Sequence, residues 1–126
     1  MFSLTRERGA AAVEFALILP VLLLMVFGML EFSRAYNTQI SLSGAAREGA
    51  RVMAIHDDAD MAIDAAIAAA PSVNPVVTSG DITIAPASCS AGEQIEFSIA
   101  YDLPLMTGFF GVTLPIAGVG VMQCGG

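Results

Sequence analysis

The chain contains no tryptophan and no lysine, and it has one histidine, two cysteines and five arginines. Each scarcity excludes a class of function. Twelve carboxylates against those five cations leave a net charge of −7. A nucleic-acid binder needs clustered positive charge to neutralise phosphates, so that class is excluded. With His56 alone there is no H-E-x-x-H, and G-x-S-x-G, P-loop and CxxC patterns are also missing. Gly118-Val119-Gly120 lacks the third glycine and the following helix of a dinucleotide site. Two cysteines without a nearby histidine pair cannot supply four ligands to a metal. The expectation is a protein that is not an enzyme and holds no cofactor and no metal.

What is abundant is apolar surface. The apolar fraction of 56% and a mean hydropathy of +0.72 exceed what an ordinary soluble core requires. The excess is concentrated between Ala10 and Leu30, AAAVEFALILPVLLLMVFGML, which carries one ionisable side chain, Glu14. At about 1.5 Å per residue a helix of this length crosses a hydrocarbon layer of about 30 Å. Pro20 is tolerated in such a span, where the backbone has no better option than a locally kinked helix. Arg6 and Arg8 precede the span and Glu31 follows it, which sets the N-terminus in the cytoplasm and the remainder outside. The reading divides the chain into a leader over 1–9, a transmembrane helix over 10–30 and an exported domain over 31–126.

Three kinds of segment fit that description. A cleaved secretory signal has a shorter apolar region, although Ser33-Arg34-Ala35 loosely imitates its cleavage site. A plain anchor explains length and charge but not Glu14, because a carboxylate at mid-membrane costs about 2.5–3.5 kcal/mol. The third is a processed segment: a basic leader, Gly9, a run of small apolar residues, Glu14 fifth after the glycine and Phe15 sixth.

That junction resembles the type IV prepilin processing site. The longer stretch ERGAAAVEFALILPVLLLMVFGMLEFSRAYNTQISLSGAAREGARV is similar to the N-terminal region of the TadE-like minor pilins of the tight-adherence pilus system. The resemblance rests on E-R-G-A-A-A-V-E-F-A, the Leu-rich run with Pro20, F-G-x-x-E-F from Phe27 to Phe32, and A-A-R-E-G-A-R from Ala45 to Arg51. It implies cleavage between Gly9 and Ala10 by a membrane-embedded prepilin peptidase on the cytoplasmic side. The new α-amino group, with a reference pKa of about 7.7–8.0, would be largely protonated. It implies that Glu14 of one subunit pairs with that ammonium of a neighbour and so registers subunits. It implies as partners the major and other minor pilins, an inner-membrane assembly platform and an assembly ATPase. The implied location is the bacterial inner membrane, N-terminus cytoplasmic and C-terminus periplasmic or extracellular, with entry into the pilus an open question. The rival is an uncleaved single-pass anchor whose exported domain binds a partner.

The exported part predicts an α+β, pilin-like fold, in which the long N-terminal helix, half membrane and half exported, packs on a small antiparallel sheet. The helix reads on from Glu31 to about Ile55, with Glu48 and Arg51 as an i,i+3 pair and Ser41, Ala45 and Gly49 stacked on one packing face. Arg47 and Arg51 flank Glu48 and read as a solvated face in preference to an anion site. Asp57-Asp58-Ala59-Asp60 lacks the order of a Ca²⁺ loop and reads as the acidic start of a short helix over Met61 to Ala70. Pro71 to Gly80 is loop. Ile82 and Ile84, and then Ile95, Phe97, Ile99 and Tyr101, alternate with more polar or smaller residues as strands with one buried face. A turn at Ser90-Ala91-Gly92 separates them, and a third strand is expected over Ile116 to Cys124. It is reached by an apolar loop, Leu103 to Leu114, carrying Met106, Phe109 and Phe110. Cys89 and Cys124 both lie on the oxidising side and are expected to pair.

Overall fold

A computed structural model describes residues 3–105 and 112–125. The elements in chain order are α1 (Ser3–His56), α2 (Ala59–Ala68), a 3₁₀ turn (Ser79–Asp81), β1 (Ile82–Ala85), β2 (Gln94–Pro104) and β3 (Thr113–Gln123). The architecture is α+β. The chain divides into two compact units, Met1–Ser33 and Arg34–Gly126. Met106, Phe109 and Phe110 lie outside the described residues.

The first unit is helical throughout its described residues and has no core of its own. Leu17 and Leu24 are 71% and 73% exposed, and Val13, Phe15, Ile18 and Phe27 are exposed beside them. The helix is long and apolar enough to cross a membrane, and apolar side chains on every face fit lipid, not water.

The second unit is built on α1 from Arg34 to its end at His56. Its inward positions are small: Ala45, Ala46 and Ala50 are fully buried, together with Leu42 and Met53. The small-residue face predicted from Ser41, Ala45 and Gly49 is present. Ser41 meets the Ser72 hydroxyl at 3.1 Å, and Gly49 lies directly under the Phe97 ring. α1 ends where Asp57 takes φ 48, a left-handed conformation that aspartate tolerates, with its N–H on the Met53 carbonyl at 2.9 Å. Asp58 then caps α2 by accepting from the Met61 N–H at 3.1 Å. Asp57 accepts from the Cys89 N–H at 2.7 Å, so two of the aspartates weighed for a Ca²⁺ loop hold the backbone.

The sheet is antiparallel in the order β1-β2-β3. Ile95, Phe97, Ile99, Tyr101 and Leu103 of β2 are buried, as the alternation predicts. The third strand departs from expectation. It starts at Thr113, not Ile116, and includes Pro115, which sits opposite Asp102. The physical reason is that β3 is an edge strand. The Ala117 carbonyl, two residues on and pointing the same way, accepts from Gln39 of α1 at 2.6 Å and not from β2. A proline at this register removes no ladder bond. Leu103 and Leu114 are therefore a cross-strand pair, and the expected long loop is shorter at both ends.

Gly44 lies in the interior of α1, exposed, and a Cβ added there meets nothing within 4 Å. Gly44→Ala is expected to stabilise the full chain in detergent by about 0.5–1 kcal/mol, because only backbone entropy changes. A denaturant midpoint unchanged or lowered would contradict this.

Candidate functional site

Two places carry the residues singled out by sequence. The first is the junction at Gly9 and Ala10, with Glu14, all exposed on α1. Ala10 and Glu14 are four apart, one turn along the same helix face. No residue packs within 4 Å of where a Gly9 side chain would be. In the structure the Gly9–Ala10 bond is helical. Glycine is about 1 kcal/mol worse than alanine in a helix interior, so Gly9 weakens the helix at this point.

The second is at one end of the Arg34–Gly126 unit. Cys89 and Cys124 are joined, with Cα atoms 5.7 Å apart and a sequence separation of 35. Around the bridge, Glu93 N–H bonds the Ser90 carbonyl at 3.0 Å, and Gly92 at φ 86 turns the chain, as the Ser90–Gly92 turn predicts. Cys124 N–H donates to Glu93 at 2.7 Å and Gly125 N–H to Ala54 at 3.3 Å. The bridge thus ties the end of β3 to the turn before β2 and to the last turns of α1.

Sequence reasoning missed the other anchor. Arg34 donates to the Pro104 carbonyl at 2.6 Å and the Asn74 carbonyl at 3.2 Å, joining α1 to the end of β2 and to the loop after α2. Beside it Tyr101, 5% exposed, donates its hydroxyl to the Pro75 carbonyl at 2.6 Å. No local pattern marks these contacts, because the acceptors are backbone carbonyls far away in the chain.

Burial raises the Tyr101 pKa above its ordinary value, Arg34 pulls it back and Asp81 adds to the rise. A phenol whose folded pKa exceeds its unfolded one favours the fold fully below the unfolded pKa. That contribution fades as pH climbs from about 10 toward the folded value. Tyr101→Phe is expected to cost about 1 kcal/mol at neutral pH through the lost hydrogen bond, and to flatten the stability loss above about pH 10. Denaturant titrations at neutral and alkaline pH check both. An unchanged alkaline slope would contradict the assignment.

Residues 9–51 match the model of the family described as TadE-like protein. Over this segment the chain is similar to the TadE-like family. The matched residues open on the Gly9 junction, run through the exposed apolar helix and end within α1, about a third of the chain. The sheet and the disulfide lie beyond them. No curated protein and no solved structure matches the chain. TadE-like proteins point to tight-adherence pilus systems, and a helix able to cross a membrane near the N-terminus is consistent with a membrane-anchored component of one.

Proposed function

We propose that this TadE-like chain is a minor pilin or pseudopilin of a tight-adherence pilus, cleaved between Gly9 and Ala10 by a prepilin peptidase. What carries the reading is the position of Glu14, an acid in an otherwise apolar span, five residues after the glycine that opens the TadE-like match. Cleavage creates an ammonium on Ala10, which gives a carboxylate in low dielectric an oppositely charged partner on a neighbouring subunit. Such a pair is favourable only when charge and geometry both match, so it selects one register of subunit on subunit. The exported unit faces the periplasm or exterior, in agreement with its disulfide. The role is structural: assembling, priming or capping an adhesive filament with a major pilin, other minor pilins, a membrane platform and an ATPase.

The rival, an uncleaved anchor, predicts a different N-terminus. Intact-mass and N-terminal analysis of the protein from cells with and without the peptidase tests both. A chain starting at Ala10 only when the peptidase is present supports processing, and Gly9→Leu is then expected to retain the leader. A chain that keeps Met1 to Gly9 in both strains ends the proposal.

A further inference from the structure

The exported unit separates its charges by face. Of its three arginines Arg34 is engaged by carbonyls, which leaves Arg47 and Arg51 on the outward side of α1. They sit in a stripe with Ile40, Gly44 and Ile55. The two isoleucines are 54% and 58% exposed, and nothing stands within 4 Å of a Gly44 Cβ. Spacings of three and four place these five residues on one helix face. Arg51 donates to Glu48 through Nε at 3.3 Å and Nη2 at 3.2 Å in an exposed i,i+3 pair, which leaves three of its five guanidinium N–H donors and the whole Arg47 guanidinium facing outward.

The opposite pattern lies on α2. Asp60 and Asp64 are exposed and four apart, with Met61, 46% exposed, beside them. Two cations one turn apart on α1 thus match two carboxylates one turn apart on α2, each pair set among apolar side chains. Orientation supports the match. After the reversal at Asp57 and Asp58 the chain returns along α1, because Ser72 reaches Ser41 and the Asn74 carbonyl reaches Arg34. In the direction of α1, Arg47 precedes Arg51, and Asp64 precedes Asp60. Two copies standing the same way up therefore set Arg47 against Asp64 and Arg51 against Asp60.

We propose that the Arg47–Arg51 stripe of one copy docks the Asp60–Asp64 face of α2 of a second copy. The inference rests on the membrane-anchored reading, since a shared membrane gives copies one orientation, but not on processing or on pilus assembly. In a chain of net charge −7, copies repel generally, and this stripe is a place where an acidic face of another copy is attracted. The contact joins two different surfaces, so each copy offers one free stripe and one free acidic face, and contacts repeat along a row.

The test uses full chains in vesicles of zwitterionic lipid, labelled in two colours through an unnatural residue at exposed Ser88. Energy transfer between wild-type copies is expected to fall as salt rises. R47D/R51D alone and D60R/D64R alone are each expected to associate about tenfold more weakly than wild type. An equal mixture of the two variants is expected to recover wild-type transfer, because each stripe again meets an opposite face. Transfer insensitive to salt and charge would assign association to the membrane helix and overturn the proposal. Loss in both variants without recovery on mixing would overturn it too. Both outcomes are independent of whether the leader is cleaved.

Discussion

Replacing Gly120 with valine is expected to destabilise the Arg34–Gly126 unit by about 3 kcal/mol or more, enough to abolish a cooperative transition in a small domain. The cause is backbone contact. A Cβ on Gly120 would stand 2.5 Å from the Ala46 carbonyl oxygen and 2.7 Å from the Arg47 nitrogen, where real Cβ atoms do not come. Gly118 is placed the same way over Leu42, with its added Cβ 2.5 Å from that residue's carbonyl carbon and oxygen. Both collisions are with main chain of α1, which has no rotamer to yield, so β3 and α1 must separate. Separation would open the seam over Leu42, Ala45, Ala46 and Gly49 and loosen Phe97, the largest fully buried side chain. At Gly49 the collision is with the Phe97 ring alone, so Gly49→Ala is the milder member of the series. Denaturant unfolding of full chains in detergent, with Gly44→Ala as a control for helix propensity, checks the order. A Gly120→Val midpoint within error of wild type would refute this account of the interface.

Loss of the Cys89–Cys124 bridge is the second large effect. A loop closed across 35 residues restricts the unfolded chain by about 4 kcal/mol on the chain-entropy model. The double replacement C89S/C124S, or reduction of the native protein, is expected to lower stability by about that amount and to fray the far end first. The bonds at risk are those from Cys124 N–H to Glu93, Cys89 N–H to Asp57 and Gly125 N–H to Ala54. Hydrogen exchange at these three amides, compared between oxidised and reduced protein, resolves local fraying from global loss. Protection unchanged on reduction would show that packing alone holds this end.

Several elements were legible because their cause is local. A helix long and apolar enough to cross a membrane is a matter of length and apolar content along the chain. α2 announced itself by aspartates before an alanine-rich run, and Asp58 caps it. β2 was readable because one face is buried, which imposes a period of two on Ile95 to Tyr101. The start of β3 was not, because Pro115 reads locally as a strand breaker. Only the knowledge that β3 is an edge strand, with this register directed away from β2, makes the proline harmless.

The sequence by itself determined a helix apolar enough to cross a membrane, the TadE-like resemblance, the α+β class and the pairing of two cysteines. These depend on composition, spacing and compartment, which act along the chain. Only the tertiary structure decided which glycines hold α1 against β3, and that Arg34 and Tyr101 bind distant carbonyls. Those properties arise from close approach between segments remote in sequence. A glycine, an arginine or a tyrosine shows nothing of such an approach until its partner's backbone is beside it.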